Sequence, residues 1–146
     1  MEQLLCPKCR MEIKSNSDFC NKCGLDLIKI NELIRDGDKF LNQEKYQDAI
    51  TCYEKAIKLG KNNDLAWYGK AKALLKQGEN SENVTLCVKC QLCPVLSEAF
   101  YEDAIKCYDN AIRINPKFKD AWQGKGMALE KLGRSEDARK CFENSK

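Results

Sequence analysis

The sequence predicts an all-α protein of repeated helical hairpins, preceded by a small β module held together by cysteines. Two observations support this prediction. From residue 30 onward, a pattern of small and aromatic residues recurs every 34 residues, which is typical of a helical repeat. Before it, four of the ten cysteines form two Cys-x-x-Cys pairs. A chain of 146 residues and 16.7 kDa has room for one such module and a short repeat array.

The paired cysteines are Cys6, Cys9, Cys20 and Cys23, with ten residues between the two pairs. Two residues between thiols let one tight turn direct both sulfurs at a single ion, and two such turns complete a tetrahedral zinc site of the closed, structural type. So short a segment cannot bury enough apolar area to fold alone, so metal binding would supply its folding free energy. The alternative is four surface thiols without a metal.

The N-terminal segment resembles the short zinc-ribbon family. Phe19 precedes the second cysteine pair and Ile13 lies between the pairs, as in that family. Arg10 departs from the pattern, because the family usually has glycine after the first pair. The resemblance implies a zinc-binding β module over residues 1–28.

The 34-residue repeat occurs in three copies, the second of which is interrupted. Small residues let the two helices of a hairpin approach closely, and aromatic residues such as Tyr53 and Phe142 fill the space between neighbouring helices. The alternative is an amphipathic helical bundle whose periodicity is coincidental. The predicted copies are residues 30–63, residues 64–79 plus 101–118, and residues 119–146, with a cysteine-rich insertion at residues 80–100.

The order of these residues resembles the tetratricopeptide repeat (TPR) family over nearly all of residues 30–146. In the second copy the resemblance rests on Trp67, Ala104, Tyr108 and Pro116. It implies a solenoid in which the first helix of each hairpin lines a concave groove that binds a segment of another protein.

The same resemblance identifies groove residues. Family members that grip a C-terminal carboxylate use lysine, asparagine and arginine there, but Ile34 and Asp38 stand where lysine and asparagine would be expected. A carboxylate clamp is therefore not expected, and the alternative is ordinary solvated helix surface. The predicted partner-binding residues are Asn31, Arg35, Asp38, Tyr68, Lys72, Lys76, Gln123, Met127 and Lys131.

The remaining cysteines divide into two groups. Cys52, Cys107 and Cys141 share one repeat position, just before an aromatic residue, which favours a packing role. The insertion, expected to be a loop between the two helices of copy two, contains Cys87, Cys90 and Cys93.

The spacing of Cys87, Cys90 and Cys93 resembles the first three ligands of a bacterial ferredoxin-type iron–sulfur site. A fourth ligand would be Cys107, water or a group from a partner. Zinc, an iron–sulfur cluster and a metal-free hydrophobic loop core all remain open. In the same segment, Ser97 and Glu98 are expected to cap a helix.

No catalytic constellation is visible, since the chain has no histidine, no glycine-rich phosphate loop and no nucleophile with a base. The net charge of +3 comes from scattered lysines, so nucleic acid is not the favoured partner. No segment is apolar enough for a signal peptide or a membrane span, which predicts a cytoplasmic protein that does not bind membranes.

We therefore expect a non-enzymatic adaptor or scaffold that binds zinc through its ribbon and a partner protein through the TPR array. One alternative is a metal- or iron–sulfur-handling accessory subunit that uses the cysteines of the insertion. Another is a nucleic-acid-associated factor that uses Lys8, Arg10, Lys14 and Lys22 of the ribbon.

The C-terminal end suggests a second interface. The last predicted helix has no later helix in this sequence to cover it, so we expect an apolar patch there that a partner subunit or a second copy of the chain covers. Alternatively, the aliphatic stems of nearby lysines and arginines cover it. The predicted patch consists of Leu129, Leu132, Ala138, Cys141 and Phe142.

Overall fold

The computed structural model describes residues 4–14, 17–84 and 93–146. Each helix packs against the next along the chain, and α1 with α3 and α3 with α5 are also in contact. The predicted all-helical hairpin solenoid is therefore confirmed. The helices are α1 (Leu27–Asn42), α2 (Tyr46–Leu59), α3 (Asp64–Val84), α4 (Cys93–Ile114), α5 (Lys119–Lys131) and α6 (Ser135–Asn144).

The predicted β module is not shown. The described residues before α1 contain two isolated antiparallel bridges, Leu5 with Glu12 and Phe19 with Asp26, and no strand. Each bridge closes the chain around one cysteine pair, so this segment consists of two short knuckles.

Local side-chain chemistry sets the helix ends. Asp26 caps α1, because its carboxylate accepts a hydrogen bond from the Lys29 backbone N–H at 2.9 Å. After α5 the chain reverses at Gly133, whose φ of +71° lies in the left-handed region that glycine adopts without strain.

Large rings buried against small residues hold the hairpins together. Tyr53 packs against Gly37 and Gly69, since a Cβ added at either glycine would come within 2.7 Å of the ring. Tyr108 packs in the same way against Gly124, which occupies the position of Gly69 in the next copy. The predicted pairing of small and aromatic positions thus determines the packing.

The predicted insertion loop is largely helical instead. Residues 80–84 extend α3 and residues 93–100 belong to α4, so these two helices have 21 and 22 residues. Ser81 lies in the segment expected to be a loop, but its hydroxyl donates to the Gln77 carbonyl at 2.9 Å within α3. Ser97 lies inside α4, with only 4% of its surface exposed, and does not cap that helix.

The predicted C-terminal patch is mostly buried within the chain. Leu129, Ala138 and Cys141 are at most 4% exposed, because α6 packs on α5 and the ring of Phe142 lies against Gly126. Leu132 and Phe142 are half-buried. The residues proposed to bind a subunit at this end therefore do not form an exposed patch.

Candidate functional site: a four-cysteine centre and a groove

The sulfurs of Cys6, Cys9, Cys20 and Cys23 all lie within 4.8 Å of one another. Cys6 Sγ is 3.6 Å from Cys23 Sγ, and Cys9 Sγ is 3.6 Å from Cys20 Sγ. A disulfide needs about 2.05 Å, and all four cysteines are free. Four sulfurs at about 2.3 Å from one tetrahedral zinc ion would be about 3.8 Å apart. The thiols thus meet the distance requirement of a four-sulfur metal site.

Two equivalent turns direct these sulfurs at one point. The Arg10 N–H donates to the Cys6 carbonyl at 2.9 Å, and the Gly24 N–H donates to the Cys20 carbonyl at 2.8 Å. Gly24 has φ +66° and Arg10 has φ +58°. Arg10 therefore adopts the left-handed conformation that glycine adopts in the second turn. Its departure from the zinc-ribbon pattern leaves the geometry of the turn intact.

The surroundings of the four thiols differ in electrostatics. The backbone N–H of Cys23, helped by that of Lys22, lowers the pKa of the Cys20 thiol to about 6. Burial raises the pKa of Cys23 to about 12. A metal ion that binds all four thiolates must therefore displace at least one proton.

The second predicted metal site is only partly within the described residues. Cys87 and Cys90 fall outside them, and Cys93 is the first residue of α4. Cys107 lies fourteen residues further along the same helix, about 21 Å away at 1.5 Å per residue. Cys107 and Cys93 cannot share one ion, so the prediction of Cys107 as a fourth ligand is wrong.

The single cysteines are placed by packing. Cys107 and Cys141 belong to the main hydrophobic core, and Cys52 is half-buried. Burial raises the pKa of Cys107 to about 11, which keeps it a neutral thiol at physiological pH.

The predicted partner-binding residues lie on α1, α3 and α5, the first helix of each hairpin. Tyr68 is half-buried and the other eight are exposed. We call the surface that these three helices share the groove. The structure brings the predicted residues onto neighbouring helices of one layer.

Two carboxylates flank Tyr68 in the groove. Burial, then the charges of Asp120 on α5 and Asp38 on α1, raises the pKa of the Tyr68 hydroxyl. The Tyr68 ring centroid is 4.8 Å from that of Phe118. Asp120 was missed by the sequence analysis, although it occupies the repeat position of Asn31 in the third copy.

The basic residues of the groove lie further along the helices. Lys72 and Lys76 line a depression together with Leu41 and Asn42. Lys76 Nζ is 2.7 Å from a carboxylate oxygen of Glu79. The carboxylates of Asp38 and Asp120 thus act on Tyr68, whereas Lys72 and Lys76 lie further along α3 with Glu44 and Glu79 beside them.

Two family models match the chain. One, described as TPR repeat, matches residues 37–78, and the other, described as Tetratricopeptide repeat, matches residues 107–140.

None of the described helices combines the length and hydropathy needed to cross a membrane.

Parts of the chain are similar to other proteins. Uncharacterized protein MJ0572 of Methanocaldococcus jannaschii is 49% identical over 41 residues, which are 28% of this chain and 48% of that protein. Small glutamine-rich tetratricopeptide repeat-containing protein 2 of Mycosarcoma maydis is 27% identical over 118 residues, 81% of this chain and 28% of that protein. The chain thus spans less than half of either relative.

A solved structure resembles the fold. The second TPR domain of Spaghetti (RPAP3), bound to the HSP90 peptide SRMEEVD, superposes with a TM-score of 0.64 and 26% identity, over 80% of this chain and 89% of that chain. Fold, repeat phase and family models agree. Residues 37–78 and 107–140 therefore match tetratricopeptide repeats, within an all-helical solenoid fold.

Proposed function

We propose that the protein is a non-enzymatic adaptor whose groove binds a segment of a partner protein. The observation that carries the proposal is the exposed layer of α1, α3 and α5, with polar and charged side chains around the half-buried Tyr68. The similar domain of Spaghetti binds a peptide, and repeat arrays present extended surfaces of this kind for recognition.

The two carboxylates that act on Tyr68 argue against an acidic peptide in that part of the groove. Asp38 and Asp120 lie on both sides of Tyr68, where like charges would repel the carboxylates of a peptide such as SRMEEVD. We therefore propose a partner segment other than an acidic C-terminus.

Affinity capture from the native source tests the adaptor function. Lys72→Glu in the groove should reduce capture of the partner at least about fivefold, because interface substitutions that reverse a charge cost about 1 kcal/mol or more. Lys55→Glu is the matched control, since it makes the same charge change at an exposed position on α2. If the Lys72→Glu protein captures the partner as efficiently as the wild-type protein does, the proposal is contradicted.

We also propose that Cys6, Cys9, Cys20 and Cys23 hold one structural zinc ion. The support is the close approach of four free sulfurs and the two equivalent turns that carry them. When bound, zinc would supply about 10–16 kcal/mol of folding free energy, as in small zinc domains.

Metal analysis of the purified full-length chain tests the zinc centre. We expect one tightly bound zinc ion per chain, lost in Cys20→Ser and retained in the control Cys52→Ser. Cobalt substitution should give the visible absorption of tetrahedral thiolate coordination. Equal zinc contents in the two variants would rule out this centre.

A further inference from the structure

We propose that the four-cysteine centre forms the N-terminal end of the repeat array and that metal loading controls the order of the first hairpin, and with it the groove. This inference rests on the proposed zinc site and on the proposed groove. The structure suggests this coupling because the cysteine segment and the first repeat share a common core.

The shared core is the first observation. Cys6 and Cys20, one from each turn, are at most 1% exposed. They cluster with Ile30 of α1, Ala56 of α2 and Ala66 of α3, which are equally buried. The metal-ligand residues are therefore core residues of the first repeat, and three helices bury side chains against them.

The turn between α2 and α3 is built against the first cysteine pair. The Asn62 N–H donates to the Pro7 carbonyl at 2.7 Å. A Cβ added at Gly60 would lie 2.7 Å from Pro7 Cβ and 3.0 Å from Ile30 Cδ1. Pro7, between two ligands, thus contacts the turn so closely that a side chain at residue 60 would not fit.

The second cysteine pair leads directly into α1. The Cys20 N–H donates to the Leu25 carbonyl at 2.9 Å, and the Leu27 N–H donates to the Asp18 carbonyl at 2.8 Å. Asp26, which caps α1, follows Cys23 by three residues. Fixing the second turn therefore fixes the start of the helix that carries Asn31, Arg35 and Asp38.

Among the described residues, no backbone hydrogen bond joins the first cysteine turn to the second, and the two turns approach each other through their sulfurs. A metal ion shared by the four thiolates would therefore be the main link between the turns. The contacts of Pro7 and Cys6 with the first hairpin depend on those turns. Helices α4, α5 and α6 contribute to a second core, which also contains residues of α2 and α3 but none of the paired cysteines. Metal loss should accordingly loosen α1 and the end of α2 and leave α5 and α6 unchanged.

Hydrogen exchange of the full-length chain, zinc-loaded and after chelation, tests the coupling. Amides of α1 should lose protection at least about tenfold on zinc removal, and those of α5 and α6 should change less than about twofold. Cys52→Ser serves as the control for thiol chemistry unrelated to the centre. Unchanged protection of α1 in a chain that demonstrably loses zinc would overturn the inference and leave the zinc site standing.

A substitution that keeps all four thiols tests the reverse direction, because coupling between two sites is reciprocal. Gly60→Ala should weaken zinc affinity at least about tenfold by displacing Pro7. Gly126→Ala is the control, since its Cβ would meet the Phe142 ring at 2.5 Å, away from the centre. Wild-type zinc affinity in Gly60→Ala would overturn the coupling. A wild-type chain that binds no zinc would overturn both the centre and the coupling, whereas a partner indifferent to Lys72→Glu would overturn only the groove.

Discussion

The hydroxyl of Tyr53 on α2 donates a 2.6 Å hydrogen bond to Asp38 Oδ1 on α1. This contact joins the ring that fills the core of the first hairpin to a carboxylate that faces the groove. The core of the first hairpin and the proposed binding surface therefore meet in one pair of residues.

Tyr53→Phe should lower the free energy of unfolding by about 1–2 kcal/mol, because a part-buried hydrogen bond to a charged group is lost while the ring is kept. Urea denaturation followed by circular dichroism measures this. Tyr46→Phe is the control, since the described residues offer its hydroxyl no hydrogen bond, and it should change stability little. Equal effects of the two changes would contradict the role given to the Asp38 contact.

The array should lose stability at alkaline pH. Burial raises the pKa of both Tyr53 and Tyr108 above the usual tyrosine value near 10, and the carboxylate of Asp38 raises that of Tyr53 further. Above about pH 10 the unfolded chain releases these protons while the folded chain retains them, so stability is complete below pH 10 and falls as pH rises. Urea midpoints at pH 8–11 should show a smaller alkaline loss in Tyr108→Phe than in the wild type. If the urea midpoints of the two proteins fall equally between pH 8 and pH 11, the role given to Tyr108 is contradicted.

Gly69→Ala should destabilise the protein by about 1–3 kcal/mol, although alanine favours helix more than glycine does. The reason is steric, because the new Cβ would meet Tyr53 Cε1 at 2.3 Å. Asn80→Ala, at an exposed position of the same helix, should be neutral or stabilising. A stable Gly69→Ala protein would mean that the ring can move aside.

Arg10→Gly should stabilise the metal-bound protein by about 1 kcal/mol. Arg10 has φ +58°, a conformation that costs a residue with a Cβ about 1–2 kcal/mol and costs glycine nothing. Thermal unfolding of the zinc-loaded protein provides the measurement, with Lys8→Gly as the control in the same turn. If both changes destabilise equally, the strain at Arg10 is relieved in another way.

The peptide SRMEEVD should bind the wild-type groove weakly, with the dissociation constant above about 1 mM expected for repelled charges. Asp38→Asn combined with Asp120→Asn should improve binding, and added salt should shrink the difference between the two proteins. Asparagine at residue 38 keeps the oxygen that accepts the Tyr53 hydrogen bond. Asp48→Asn on α2 is the control. Calorimetric titration that shows tight binding to the wild type would contradict the charge argument.

The sequence predicted the parts of this protein that depend on local spacing. Copies of the repeat could be aligned because Tyr53, Tyr108 and Phe142 recur at one repeat position. A ring there packs against a residue without a side chain, as Tyr53 does against Gly37. The cysteine pairs were recognisable because two residues between thiols suit one turn and one ion.

Predictions failed where the outcome depended on a neighbour distant in sequence. The insertion was expected to be a loop, yet residues 80–84 extend α3, which packs against α4. Cys107 was a candidate ligand until α4 placed it about 21 Å from Cys93. Asp120 was not among the predicted groove residues, and its effect on Tyr68 depends on the packing of α5 beside α3.

The sequence alone thus determined the helical hairpins, their phase and the four thiols able to share an ion, because each follows from the periodicity and spacing of nearby residues. Only the tertiary structure decided that Pro7 lies against Gly60, that the ligand cysteines share a core with α1, α2 and α3, and that Asp38 and Asp120 flank Tyr68. Those relationships arise from close packing between distant segments, which fixes distances and orientations that residue spacing along the chain does not contain.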